Sequence, residues 1–377
     1  MQRPSHRPPA PTRTLIPAYR VDLSGNEKQY VNECLDSGWI SAQGSFTERF
    51  EQAVAALTGA RHAVAVTNGT TALHLVLHCL GIGPGDEVIV PTFTFIAPVN
   101  MIAYAGATPV FADCRRDDWL IDIDDVARRI TPRTKAILPV HLYGNACDMA
   151  ALMDLASRHG LAIVEDSAQS IGTRFRGRHV GTFGYSGIFS FYGNKTVTTG
   201  EGGMVITDDF ERAELMRLIR GHGVPPMRNY WHEVLGFNWR MTNICAAIGL
   251  AQMERLDAIL ARKQEIAGRY RRLLAELPVT MPQPLAGTTS TEWVISCLLP
   301  APLDRESVRA RMLADGVETR PLFYCAHHMP MYKSNERFPV SEDISARGLS
   351  LPSYPGLTDD EVDTVVDALR RAIAVAA

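Results

Sequence analysis

The chain has 377 residues, 46% hydrophobic and 21% charged, with a net charge of -3, an ordinary composition for a soluble globular protein. That charge gives no reason to expect a nucleic acid or an anionic membrane as partner, and no run approaches the roughly 18 apolar residues of a membrane span. Seven cysteines (Cys34, Cys79, Cys114, Cys147, Cys245, Cys297, Cys325) are scattered without CxxC spacing; this argues for reduced cytoplasmic thiols and against a disulfide framework or a zinc site, and no metal is expected.

Residues 1–17 are rich in Pro and Arg and lack an apolar h-region, so they read as a mobile arm and not as a secretory signal. Apolar periodicity predicts helices over 25–37 and 46–57. A strand over 63–66 ends at Thr67-Asn68-Gly69-Thr70-Thr71, which opens a helix over 72–80. Then follow strand 87–91, helix 97–105, strand 109–112, helix 123–130, strand 136–140, helix 149–159 and strand 162–165. Short apolar strands alternating with helices mean an α/β fold with a mostly parallel sheet covered on both faces. Ligands in such sheets sit at the carboxyl ends of the strands, where Asn68-Gly69-Thr70 and Asp166 both fall. One long helix or a helix pair is expected over 246–274. After Pro278 the pattern changes to a strand over 293–299 and helices over 305–315 and 358–375, a smaller α+β domain. The expected division is a large domain over 18–250 and a small C-terminal domain over 251–377.

Three features carry chemistry. The Asn68-Gly69-Thr70-Thr71 helix start offers free backbone N–H groups and hydroxyls, a cradle for a phosphate, although a plain helix cap has the same pattern. Asp166 follows directly on an apolar strand, with Gln169 on the same loop. Lys195 lies between the apolar run Phe189-Ser190-Phe191-Tyr192 and the loop Thr198-Thr199-Gly200-Glu201-Gly202-Gly203. Such surroundings lower a lysine's pKa and raise its nucleophilicity. A carboxylate, then a lysine able to form a Schiff base, with Gly/Thr loops around both, is what pyridoxal 5'-phosphate needs: Asp166 would keep the pyridine nitrogen protonated so that the ring acts as an electron sink.

These motifs, with Gly83-Pro84-Gly85-Asp86-Glu87-Val88 and Gly236-Phe237-Asn238-Trp239-Arg240-Met241, resemble those of the DegT/DnrJ/EryC1/StrS family of pyridoxal phosphate-dependent sugar aminotransferases, from about Val21 to the C-terminus. The resemblance implies an aspartate aminotransferase-like fold (fold type I), with Lys195 as Schiff-base lysine and Asp166 on the pyridine nitrogen. It also implies Gln169 against the cofactor, Gly69, Thr70 and Ser190 on its phosphate, and Phe95 stacked on its ring. Asn238 would reach the cofactor phosphate of a neighbouring subunit, so a homodimer with shared sites is expected. Lysine at 195, where one branch of the family carries histidine and dehydrates, implies transamination. L-glutamate would be the amino donor and a nucleotide-linked keto-deoxysugar the acceptor.

Finer resemblances, including Pro139-Val140-His141-Leu142-Tyr143-Gly144, Gly221-His222-Gly223, Tyr230-Trp231 and the run from Arg320 through His327 to Tyr332, imply GDP-4-keto-6-deoxymannose as acceptor. Departures at Ser167, at Asn145-Ala146-Cys147 and at Tyr324-Cys325-Ala326-His327 bear on the sugar and leave the cofactor untouched. Arg240 or Arg320 could hold a donor carboxylate or a diphosphate, or make structural ion pairs. His327 is a substrate contact by resemblance and otherwise a hydrogen-bonded loop histidine. The alternatives are another ketosugar, a dehydratase or epimerase on the same cofactor, and a non-catalytic scaffold.

Overall fold

The structure is a computed structural model that describes residues 15–225, 227–228 and 230–376. Its centre is a seven-stranded sheet in the order His62–Val66, Gly203–Thr207, Ser186–Ser190, Ala162–Asp166, Thr134–Ile137, Glu87–Pro91, Thr108–Ala112. Gly203–Thr207 runs against both of its neighbours and the other pairings are parallel. The strands are apolar throughout because helices cover both faces: Val64, Val66, Val88, Ile89, Val164, Ile188 and Val205 are all fully buried. The carboxyl ends of the parallel strands bring Thr67–Gly69, Thr92–Phe95, Val140–Tyr143, Asp166–Gln169 and Ser190 to one edge.

Most expected elements form within a residue or two of their predicted ends. The strand expected over 136–140 runs instead over Thr134–Ile137. Proline 139 has no N–H to give the ladder, yet its carbonyl accepts the Asp166 N–H at 3.0 Å, and the pairing survives as an isolated bridge between Val140 and Asp166. The 246–274 helix is a pair, Asn243–Glu254 and Leu256–Leu274, broken at Arg255. Helix Phe210–Arg220, helix Pro339–Arg347 and strand Gly348–Leu351 had no counterpart in the expectation.

A second antiparallel sheet, Ile295–Leu298, Gly348–Leu351, Arg320–Pro321, shares a core with Leu256–Leu274, Arg305–Ala314 and Asp359–Ala376, in which Tyr270, Val308, Met312, Leu349 and Leu369 are fully buried. The expected mobile arm lies outside the described residues through 14, and its last part departs from the expectation. Ile16 is buried and exchanges backbone hydrogen bonds of 2.9 Å with Gly316 and Glu318, because an apolar side chain here gains more from the second core than from solvent.

Candidate active site

The helix Gly69–Cys79 begins with a reciprocal cap: the Asn68 side chain accepts the Thr71 N–H at 2.8 Å, and the Thr71 hydroxyl accepts the Asn68 N–H at 3.3 Å. First-turn N–H groups have no partner within a helix, so those of Gly69 and Thr70 point outward at its positive end. Ser190 stands opposite, at the end of its strand. A Cβ at position 69 would lie 2.7 Å from the Ser190 Cβ, and one at Gly203, the ladder partner of Ser190, would lie 2.3 Å from the Asn68 carbonyl. Bare glycines therefore let helix start and strand approach closely. Among the described residues the Ser190 and Thr70 hydroxyls make no protein hydrogen bond. Two N–H groups and two hydroxyls at a helix N-terminus fit a phosphate.

Asp166 ends its strand almost fully buried. Its Oδ1 accepts the Ala168 N–H at 2.9 Å and its N–H goes to Pro139. Burial raises its carboxyl above the usual range, against the Ala168 hydrogen bond and the nearby Lys195 and His141, which lower it. Such a carboxylate suits pairing with a protonated ring nitrogen, whose charge would replace the lost solvation. Gln169 is buried and its Oε1 accepts the Tyr143 N–H at 2.7 Å.

Lys195 lies in a loop pinned from both sides. Its N–H reaches the Tyr192 carbonyl at 2.9 Å, and Thr199 N–H returns to Phe191 at 2.9 Å. The ammonium sits 4.1 Å above the Trp293 ring, and the indole N–H holds the Asn194 carbonyl at 2.8 Å. It lines a cavity of about 400 Å³ together with Tyr143, Phe323, Arg320, Tyr354 and Lys263. Desolvation lowers its pKa to about 8, against the opposing pull of Asp166, so a useful fraction of neutral amine exists near neutrality.

The remaining expected site residues divide. Phe95 is half exposed at the same edge, its ring 5.8 Å from Phe323. Arg320 lines the lysine cavity, paired with Glu318 at 3.0 Å. Asn238 and Arg240 are exposed on a segment that bridges to Gly221 and to Val66 and whose Trp239 carbonyl accepts Thr67 N–H at 2.9 Å; they flank the cradle's outer side and do not line the cavity. His327, expected either as a substrate contact or as a hydrogen-bonded loop histidine, has the geometry of the second. It is fully buried, its Nδ1 2.6 Å from the Thr92 hydroxyl and its ring 4.7 Å from Phe338, and it takes no part in the cavity.

Sequence reasoning assigned no role to several residues of the site and its surroundings. Glu165 faces away from Asp166, as neighbours on a strand do. It accepts N–H groups from Gly181, Phe183 and Gly184 at 2.6 to 2.8 Å and lies 3.1 Å from His141 Nε2. His141 Nδ1 accepts the Cys147 N–H at 3.1 Å, so the proton is on Nε2 and the ring is fixed. Tyr143 stacks at 5.4 Å on Phe323 and at 6.4 Å on Trp293. Lys263 is buried, donates to the Trp293 and Ser353 carbonyls at 3.1 and 2.7 Å, and also has a pKa pushed down to about 8 by burial. One signal was available for it: a lysine interrupting the stripe Leu256, Ile259, Ile266, Tyr270 at helical spacing.

The sheet with its cradle, ring carboxylate and half-buried lysine defines a pyridoxal phosphate-dependent aminotransferase of fold type I. The chain belongs to the DegT/DnrJ/EryC1/StrS aminotransferase family, whose sequence profile matches residues 21–370. It is 46% identical over 355 residues to GDP-perosamine synthase of Escherichia coli O157:H7, covering 94% of this chain and 97% of the relative. It is 45% identical over 367 residues to GDP-perosamine synthase of Caulobacter vibrioides, covering 96% and 98%. Among solved structures it resembles DesV of S. venezuelae with a TM-score of 0.90 at 37% identity, covering 95% of this chain and 98% of that one.

Proposed function

We propose that the protein transfers an amino group from L-glutamate to C4 of GDP-4-keto-6-deoxymannose, giving GDP-perosamine. The observation that carries this reading is near-full-length identity of 44 to 46% to three GDP-perosamine synthases, in a chain that keeps the lysine, the carboxylate and the cradle. The cofactor, when bound, supplies an electron sink for the carbanion of each half-reaction.

The protein's own residues do the rest. Gly69, Thr70 and Ser190 anchor the phosphate; Asp166 holds the ring nitrogen in its charged form. Lys195, with an amine that is partly neutral near pH 7, is the base that takes a proton from the donor's α-carbon and returns one on the far side of the exchange. Trp293 and Tyr143 wall the cavity and limit water. Arg320 is the cation placed to receive a carboxylate or a diphosphate there.

The same reading includes a homodimer. Met227, Tyr230 and Leu235, each at least 85% exposed, precede Asn238 and are apolar side chains that a second copy would cover, which would bring Asn238 to the neighbouring cradle. A cytoplasmic setting accords with the cysteines, all of them free thiols; no described helix is long and apolar enough to cross a membrane.

The test is product analysis by mass spectrometry with L-glutamate and, in parallel, GDP-4-keto-6-deoxymannose and dTDP- or UDP-linked ketosugars. Amination of the GDP sugar at the highest kcat/KM supports the reading. Exclusive use of another nucleotide or of a 3-keto sugar replaces it with a related aminotransferase.

A further inference from the structure

Away from the lysine cavity, a one-turn helix Ala326–His328 presses against the helix Pro339–Arg347. His327 is fully buried there, yet its Nε2 has no hydrogen-bond partner among the described residues. That nitrogen points at Glu342, 3.5 Å from Oε1. His328 follows on the exposed side, its ring 4.0 Å from that of His327. One ligating atom from each of the three side chains lies within 4.8 Å of the other two. We propose that His327, His328 and Glu342 bind a divalent transition-metal cation of the zinc type.

The chemistry of each group fits. The Thr92 hydroxyl oxygen lies 2.6 Å from His327 Nδ1 and also accepts the His327 N–H at 3.4 Å. When the hydroxyl accepts from Nδ1, that nitrogen carries the ring proton and the Nε2 lone pair is bare, the arrangement that orients a metal-binding histidine from behind; metal on Nε2 would select this tautomer. A hydrogen bond from Nε2 to Glu342 would be too long at 3.5 Å. Two ligands about 2.0–2.2 Å from a tetrahedral zinc, however, stand roughly 3.3–3.6 Å apart, and that is the observed separation. Arg337 Nε at 3.0 Å and the Phe338 N–H at 2.9 Å both donate to Glu342 Oε1 and hold the carboxylate in place. Three protein ligands leave the fourth position to water.

The location gives the cation a bracing role. Ala326 N–H binds the Thr92 carbonyl at 2.8 Å, and Phe93 bridges to Cys325. A metal on His327 and Glu342 therefore ties the Pro339–Arg347 helix to the strand end that carries Phe95, three residues beyond Thr92. Cysteine spacing could not have revealed such a site, since all three ligands are histidine or carboxylate.

The experiment uses the full, tag-free protein with its cofactor, dialysed against a chelator and titrated with Zn²⁺ by calorimetry and by thermal unfolding. The proposal expects one ion per chain at micromolar affinity and a rise in Tm. Both should fall away in His328→Ala, an exposed position whose change leaves the fold intact, and in Glu342→Gln. Affinity should drop at least tenfold in each, while aminotransfer persists in His328→Ala. Absence of stoichiometric binding, or binding that is the same in wild type and both variants, overturns the proposal.

Discussion

Glu165 and Asp166, adjacent on one strand, serve opposite faces of the sheet: Glu165 clamps His141 at 3.1 Å and three backbone N–H groups, while Asp166 stands in the field of Lys195. One carboxylate is structural and saturated, the other is buried and keeps a side open for a cation. Replacing Glu165 with Gln puts an amide NH₂ among donors and removes the charge they were solvating. We predict a loss of about 3 kcal/mol or more in stability, read by urea unfolding, with the variant's remaining folded fraction still able to bind cofactor.

Asp166→Asn removes the charge that we propose keeps the ring nitrogen protonated. Turnover should fall about 10²- to 10³-fold, the range for deleting one preorganised electrostatic partner, with little change in the unfolding midpoint. Asp166→Glu should recover part of the rate. Equal turnover in Asp166→Asn and wild type would remove Asp166 from the site.

Gly69→Ala tests the cradle. Its Cβ would stand 2.7 Å from that of Ser190, so the helix start must withdraw from the strand. The expected result is weaker cofactor retention on dialysis, with a fold cost of about 1–3 kcal/mol.

The pH dependence of Lys195 follows from its surroundings. With a pKa of about 8, its amine in the cofactor-free protein is about 10% neutral at pH 7, against well under 1% for an ordinary lysine. Amine-directed labelling of the cofactor-free protein should therefore show a fast site with a midpoint near pH 8 that is lost in Lys195→Arg. Lys263, buried with a similar value, is distinguished by this variant. Because the folded pKa lies below the ordinary 10.5, the unfolded chain binds more protons between the two values. Lys195 therefore favours the cofactor-free fold increasingly as pH rises from about 8 toward 10.5.

Ser167 carries a buried hydroxyl with no partner among the described residues, and a Cβ at neighbouring Gly181 would lie 3.2 Å from it. Ser167→Ala should be neutral or stabilising by up to about 1 kcal/mol in thermal unfolding. A clear destabilisation would mean that the hydroxyl serves a bound group.

Much of this architecture was legible in the sequence because parallel strands buried on both faces are short apolar runs, and two of the carboxyl ends are marked by a change to Asn68-Gly69-Thr70 and to Asp166. Gly203–Thr207 has no separate mark in the sequence because its GMVIT run continues directly from the glycine-rich loop Gly200-Glu201-Gly202 without a turn signal between them. Pro339–Arg347 begins at a proline and has only a short apolar stripe. Trp293 and Tyr143 reach Lys195 from about 100 and 50 positions away in the chain, a proximity that no local pattern encodes. For His327 the resemblance implied a substrate contact and the residue type alone allowed a hydrogen-bonded loop histidine; the packing of Phe111, Phe338 and Thr92 around it, which no local pattern encodes, makes it the second.

The most direct measurement is the absorbance spectrum of the purified protein with pyridoxal phosphate, then with L-glutamate, then with GDP-4-keto-6-deoxymannose. The account predicts a visible band from cofactor held on Lys195, its loss on adding glutamate and its return on adding the sugar, with no such band in Lys195→Ala. Failure to form the band in the wild type, or an identical band in Lys195→Ala, would contradict it.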